Sequence, residues 1–141
     1  MSKIFRKKAL RIFLSYSHKD RKLVHTLWSR LEKDGMDVWL DKENLQPGQN
    51  WEQEIRQAIL ASHITIVCLS QEFIQHSGFR HEELKIAIRK AKSLPASEIF
   101  IIPVRLEKCD MPQSLRHIHR VDLFERGGYK KLLLVLQGKS R

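Results

Sequence analysis

Apolar and polar residues alternate along the chain in blocks that predict strands and helices in regular succession. Five short apolar runs have the pattern of parallel strands that are covered on both faces: residues 11–17, 36–40, 63–70, 98–104 and the weaker run 120–123. Four other segments carry apolar side chains at helical spacing: residues 18–34, 50–62, 77–92 and 129–136. This alternation predicts an α/β fold.

Local signals support the boundaries of the first two helices. Ser17 and Asp20 have the spacing of a capping box for the first helix, and Asn50 and Gln53 have it for the second. Gly35 follows the first helix, where a glycine commonly ends one. These residues therefore predict helices that begin near residues 18 and 51.

Strict alternation of strands and helices implies a parallel sheet, because each parallel pair of strands needs a right-handed crossover. The sequence therefore predicts a flavodoxin-like three-layer fold with a five-stranded parallel sheet in the order 2-1-3-4-5. Ligands of such folds bind beyond the carboxyl ends of the strands, where the strand order reverses. Three segments are expected to meet there: residues 15–17, residues 39–48 and residues 70–83.

The helix predicted over residues 77–92 begins with two glutamates in different positions. Glu82 points away from the apolar stripe, whereas Glu83 lies at its edge, in line with Phe79 and Ala87. Partial desolvation destabilises a carboxylate charge, which suits Glu83 to acid-base or cation-stabilising chemistry. The alternative is that Glu83 only complements the positive end of the helix dipole.

Length and composition bound the class of protein. The 141 residues form one predicted domain, with a core over about residues 10–137 and a basic extension over residues 1–9. A hydrophobic content of 42% excludes disorder, and no apolar run approaches the ~20 residues that cross a membrane. The N-terminus lacks the apolar core of a signal peptide. We therefore expect a cytoplasmic protein, or a module of one, with no membrane partner and reduced thiols at Cys68 and Cys109.

The net charge of +10 raises the question of an acidic partner such as nucleic acid. The basic residues are scattered and lack interleaved aromatic residues, so a solvated surface is favoured and nucleic-acid binding is not expected. His117 and His119 have no cysteine or carboxylate at metal-site spacing, so no metal is predicted. Trp28 and Trp51 lie on apolar helix faces and are predicted to be core residues.

Three motifs in this order resemble a Toll/interleukin-1 receptor (TIR) domain, particularly the bacterial type. They are Ile12-Phe13-Leu14-Ser15-Tyr16-Ser17 with Asp20, then Val38-Trp39-Leu40-Asp41 with Leu45-Gln46-Pro47-Gly48, and finally residues 77–84. The resemblance covers roughly residues 10–137. It implies the same fold that the periodicity predicts.

The resemblance also implies an activity. Catalytic members of this family cleave the nicotinamide–ribose bond of NAD+ with a glutamate four residues after an aromatic position. In this sequence that glutamate is Glu83 and the aromatic residue is Phe79, where the family usually has tryptophan. NAD+ is then the substrate, and no cofactor is expected.

Further residues at the same edge are candidates for binding this substrate. Tyr16 or Trp39 would stack on a ring, and Ser15, Ser17 and neighbouring backbone N–H groups would hold the pyrophosphate. Asp41 ends the second motif and borders the same predicted site.

Residues 41–50 correspond to the BB loop of the family, which mediates contacts between TIR domains, and we call them the assembly loop. Leu45 is its predicted internal anchor, and Pro47 and Gly48 form an exposed turn. The resemblance implies activation by self-association, with a fused or separate sensor, and is consistent with an effector role in a bacterial immune system. The alternative is a non-catalytic module that acts only through TIR–TIR contacts.

Overall fold

A five-stranded parallel sheet with the order β2-β1-β3-β4-β5 forms the centre of the protein, as predicted. The computed structural model describes residues 9–76 and 80–139, apart from the side chains of residues 41, 42, 80 and 81. The strands are β1 (Arg11–Ser15), β2 (Asp37–Leu40), β3 (Ile64–Leu69), β4 (Ile101–Arg105) and β5 (Val121–Asp122). The helices are α1 (Arg21–Lys33), α2 (Trp51–Ala61), α3 (Gln71–Gln75), α4 (Arg80–Ser93) and α5 (Gly128–Lys139).

Alternate residues of β1 face two separate apolar cores. Ile12 and Leu14 pack with residues of α1 and α5, whereas Phe13 packs with residues of α2 and α4. All three side chains are fully buried, and each contributes about 1.5–3 kcal/mol of hydrophobic stabilisation. The sheet is thus covered on both faces, which gives the predicted three-layer architecture and explains why its central strands read as continuous apolar runs.

The two predicted helix starts have different outcomes. Asn50 caps α2, since its Oδ1 accepts a hydrogen bond from the Gln53 N–H at 3.2 Å. The predicted capping box of Ser17 and Asp20 is wrong. Ser17 makes no side-chain capping bond, a 3₁₀ turn (His18–Asp20) precedes α1, and the Asp20 carboxylate accepts a hydrogen bond from Ser70. A partner distant in sequence has displaced the local cap.

The short helix α3 lies in a segment that the sequence was expected to leave as a connection. Ser70 caps it, because the Ser70 Oγ accepts a hydrogen bond from the Phe73 N–H at 3.0 Å. Phe73 is buried against the core on the α2 and α4 side of the sheet. One buried apolar residue and one cap are enough to hold this short helix. A segment of five residues is too short for hydrophobic periodicity to reveal.

An ion pair holds the two-residue edge strand β5. Arg105 binds the Asp122 carboxylate with two hydrogen bonds, of 2.7 Å from Nε and 2.9 Å from Nη2. Arg120 adds a third, of 3.0 Å from its Nε. These guanidinium groups, Arg105 first, hold the pKa of Asp122 well below its ordinary value. Charge-assisted bonds thus reinforce a strand whose own ladder is short.

We expect Asp122→Asn to lower the free energy of unfolding at pH 7 by about 2–3 kcal/mol, because the exchange breaks a bidentate pair. The depressed pKa stabilises the fold above the ordinary value near 4, and this contribution is lost as the pH falls through the folded-state pKa. The difference between the two proteins should therefore shrink between pH 5 and pH 2. Urea unfolding across this range measures it.

The control is Asp110→Asn, at an exposed position, which should change the free energy of unfolding by less than about 0.5 kcal/mol. Equal stability of Asp122→Asn and wild type at pH 7 would contradict the assigned role of the pair.

Candidate functional site

Glu83 and Ser15 meet at the carboxyl edge of the sheet. Ser15 ends β1, Glu83 lies in the first turn of α4, and the Ser15 Oγ donates a hydrogen bond of 2.6 Å to the Glu83 Oε1. Ser15 is only 3% exposed and Glu83 only 2% exposed. Glu82 differs, since its side chain is 68% exposed and pairs with Lys85 at 3.5 Å. The predicted contrast between the glutamates is present, and Glu83 lies deeper than the edge position that its helical spacing predicted.

A small cleft between α2 and α4 adjoins Glu83. Its volume is about 40 Å³, whereas pockets that enclose a ligand of dinucleotide size hold roughly 300–1,000 Å³. The space between the described residues of the cleft is therefore smaller than such a ligand. The described residues that line it are Trp51, Glu52, Ile55, Arg56, Glu82, Glu83 and Ile86.

Trp51 is a cleft residue that sequence reasoning assigned to the core. It shares a helical face with Ile55, which is buried, but Trp51 itself is 41% exposed. Trp51 is the first residue of α2, so its side chain lies where the covered part of the helix begins. Trp51 directly follows the helix cap Asn50 and the assembly loop, and this position was the sequence signal that could have identified it as a cleft residue.

The charges of the cleft favour a cationic group. Among the described residues that line it, Glu52 and Glu83 are acidic and Arg56 is basic, while Glu82 pairs with Lys85. Acidic residues at the start of α4 also complement the positive end of its helix dipole. The cleft thus combines a negative surplus with the aromatic surface of Trp51.

The other predicted substrate contacts are placed differently. Tyr16 is buried in the core on the α1 and α5 side, whereas Trp39 is buried in the core on the opposite face, and Ser17 is buried as well. The structure thus separates the two aromatic candidates by the thickness of the sheet. Phe79 and the side chain of Asp41 lie outside the described residues. The substrate roles of all five stay predictions.

A second polar contact at this edge was missed by sequence reasoning. Ser70 at the end of β3 donates a hydrogen bond to the carboxylate of Asp20, and Lys19 pairs with Glu72 at 3.5 Å. These contacts tie the start of α1 to α3. Cys68 lies fully buried just before them, and burial raises the pKa of its thiol, so the group is unreactive.

The base of the assembly loop has more anchors than the single leucine that was predicted. The Leu40 N–H donates to the Asn44 Oδ1 at 2.5 Å, and the His25 Nε2 lies 2.7 Å from the Glu43 Oε1. Burial raises the pKa of Glu43 above its ordinary value. Leu45 packs half-buried against the core, as predicted. The loop therefore leaves β2 in a defined direction.

The tip of the assembly loop is an exposed turn. Its Gln46 N–H donates to the Gln49 Oε1 at 2.7 Å, and Gly48 has a φ of +90°. Pro47 and Gly48 are both exposed. A left-handed φ strongly favours glycine, so the shape of the tip depends on Gly48.

A larger groove lies away from Glu83, between the second half of α4 and the amino end of β4. Its volume is about 770 Å³, and it is lined mainly by apolar side chains, with His117 and His119 at one wall. In the described part of the chain no three His, Cys, Asp or Glu side chains cluster as metal ligands would. Over the same residues, no helix has the length and apolar character that would let it cross a membrane.

Comparison with known proteins identifies a family. A family model for the TIR domain matches residues 12–133. An uncharacterized protein, y4cD from Sinorhizobium fredii, is 29% identical over 112 residues, which is 78% of this chain. The chain spans only 17% of the length of that relative.

Three solved structures share the fold. The TIR domain of the Toll-related receptor TRR-2 from Hydra magnipapillata has a TM-score of 0.74 at 23% identity, over 89% of this chain and 97% of that one. The TIR domains of the activated Roq1 resistosome, which recognises the pathogen effector XopQ, have a TM-score of 0.60 at 21% identity. The match covers 92% of this chain and 72% of that one. The CMP N-glycosidase BcmB from Clostridium botulinum has a TM-score of 0.60 at 19% identity, over 87% of this chain and 97% of that one.

At identities below 25%, these three structures bear on the fold. The family assignment rests on the family model, whose match includes Ser15, the assembly loop and Glu83. The order of strands and the sequence motifs agree with it. The chain belongs to the TIR domain family.

Proposed function

We propose that this TIR domain is an NAD+ glycohydrolase that cleaves the nicotinamide–ribose bond with Glu83 as its catalytic carboxylate. The observation that carries the proposal is the burial of Glu83 at the carboxyl edge of the sheet, against Ser15 and beside the cleft. Burying a carboxylate costs free energy unless it is compensated, so such groups concentrate at functional sites.

The chemistry of the bond requires only one carboxylate. Nicotinamide is positively charged in NAD+ and leaves as a neutral molecule with the bonding electron pair, so no general acid is needed. Positive charge develops on the ribose, where Glu83 would stabilise an oxocarbenium-like transition state. Attack by water then gives ADP-ribose, and attack by a nucleophilic atom of the same molecule gives a cyclic variant.

The cleft and one structural relative support this substrate class. The acidic surplus of the cleft suits the cationic nicotinamide ring, and Trp51 offers an aromatic face for it to pack against. BcmB shares the fold and is a CMP N-glycosidase, so in that protein the fold supports N-glycosidic cleavage of a nucleotide. Breaking the nicotinamide–ribose bond is a reaction of the same type.

We expect Glu83→Gln to lower nicotinamide release by about 10²–10³-fold, because it removes the stabilising charge and keeps the size of the side chain. Glu82→Gln is the matched control, since it makes the same exchange on the neighbouring, exposed residue. Its effect should stay below about fivefold, the size of a surface-charge interaction of ~1 kcal/mol. Equal activities in the two variants would reject Glu83 as the catalytic group.

Truncation of the cleft tryptophan provides a second test. Trp51→Ala should raise the KM for NAD+ about tenfold, because an exposed aromatic contact of about 1 kcal/mol or more is lost. Trp51→Phe should retain most of the affinity. The control is the free energy of unfolding, measured by thermal unfolding. Truncating a core tryptophan lowers it by about 3–5 kcal/mol. Trp51 is 41% exposed, so its truncation should lower it by less. An unchanged KM in Trp51→Ala would remove this residue from the site.

We further propose that self-association through the assembly loop activates the enzyme. The loop has an anchored base and an exposed tip, and it leads directly into Trp51 of the cleft. A neighbouring molecule bound to the tip could therefore shift α2 and open the cleft. The Roq1 TIR domains, which share this fold, belong to an activated resistosome. A fused or separate sensor would raise the local concentration, as an effector in bacterial defence requires.

This regulation predicts specific activity that rises with protein concentration between nanomolar and high micromolar. Gly48→Ala should suppress the rise, because a methyl group strains the left-handed φ and changes the shape of the tip. Pro47→Ala should weaken it by loosening the turn. Gly138→Ala is the control, since it adds the same methyl group in open space on α5 without this strain. Proportional activity with a monomer throughout, measured by assay and sedimentation, would reject activation by assembly.

The second candidate function is a non-catalytic module that acts through TIR–TIR contacts. The cleft of about 40 Å³ favours this alternative, because the space between its described residues is smaller than a dinucleotide. A nicotinamide-release assay at high protein concentration separates the two functions. Measurable release that depends on Glu83 supports the enzyme, and its absence in a self-associated sample supports the module.

A further inference from the structure

The contact between Ser15 and Glu83 has the geometry of a strong hydrogen bond. Its length of 2.6 Å lies in the range of about 2.5–2.7 Å that is typical of a hydroxyl bound to a charged carboxylate. Both residues are nearly excluded from water, so the bond acts in surroundings of low dielectric constant. The bond therefore helps to fix the orientation of the Glu83 carboxylate.

Ser15 lies on a strand that is paired on both sides. It is the last residue of β1, a strand that pairs with β2 on one side and with β3 on the other. Ser15 itself is in register with Val67 of β3. Groups on such a rigid element position a reacting side chain more precisely than groups on loops do.

The other end of α4 is anchored independently. The Lys90 Nζ donates hydrogen bonds of 2.6 Å to the Leu60 carbonyl and 2.8 Å to the Ser62 carbonyl, at the end of α2. Lys90 therefore fixes the second half of α4, and the contact with Ser15 acts on its first turn, where Glu83 lies. Loss of the Ser15 hydroxyl should disturb the carboxylate while the helix stays docked.

We propose that Ser15 is a positioning residue, whose hydroxyl orients the Glu83 carboxylate and keeps it charged instead of binding the pyrophosphate of the substrate. This inference rests on the proposed function of Glu83. Removing a donor from a buried carboxylate destabilises its charged form and loosens its orientation. A displacement of about 1 Å at a reacting group can lower a rate by roughly 10²-fold.

Ser15→Ala should therefore lower kcat by roughly 10²-fold with little change in KM, since the substrate contacts remain. The acid limb of the pH–rate profile should move to higher pH, because the carboxylate loses a donor that stabilises its charge. Ser15→Cys keeps the size of the side chain with a weaker donor, so its acid limb should lie between those of the other two proteins.

The matched control is Ser62→Ala, which removes another buried hydroxyl, hydrogen-bonded at 2.7 Å to the Ile59 carbonyl at the end of α2. It should leave the acid limb in place. An acid limb that does not move in Ser15→Ala and Ser15→Cys, or that moves equally in Ser62→Ala, overturns the inference. A raised KM with unchanged kcat in Ser15→Ala also overturns it, since that result indicates a substrate contact.

A measurement without turnover separates this inference from the proposed function. The carboxyl carbon of Glu83, labelled with ¹³C and assigned by its loss in Glu83→Gln, can be titrated by NMR in wild type and Ser15→Ala. A midpoint at higher pH in Ser15→Ala supports the positioning contact, even where wild type releases no nicotinamide, and in that case the glycohydrolase proposal fails. An identical midpoint in both proteins overturns the inference whatever the assay gives.

Discussion

One buried hydrogen bond, from Ser15 to Glu83, joins the end of strand β1 to the first turn of α4. A carboxyl group at 2% exposure needs a donor close by, and the donor here comes from an element that is paired on both sides. The contact orients the candidate catalytic group, whereas Lys90 holds the second half of α4 independently. The stability of the first turn of α4 and the chemistry of the site are thus linked.

At the carboxyl edge of the sheet, some connections are held by hydrogen bonds, whereas the tip of the assembly loop is exposed. Contacts of Asp20 with Ser70 and of Leu40 with Asn44 hold the starts of two connections close to the sheet. The tip around Gly48 has no comparable burial. An interaction with another molecule would therefore act on the tip first, and α2 would transmit it to the cleft because Trp51 directly follows the loop.

The larger groove and the buried carboxylate Glu83 lie in different parts of the molecule. The groove of about 770 Å³ beside β4 is large and mainly apolar, whereas the cleft of about 40 Å³ contains three acidic residues. Side chains with a defined charge and orientation, and not the size of a cavity, determine what reaction a site can perform. For this reason the small cleft beside Glu83 is the candidate site.

The amino-acid sequence alone determined the order of the five strands and of every helix but α3, the parallel sheet and the exposure of Glu82, because hydrophobic periodicity and short caps such as Asn50 are local properties. It also marked Glu83. Only the tertiary structure decided that Glu83 is fully buried on Ser15, 68 residues away in the chain, and that Trp51 is exposed. Neither property is encoded within one helix, since both depend on how far the neighbouring elements extend over the edge of the sheet.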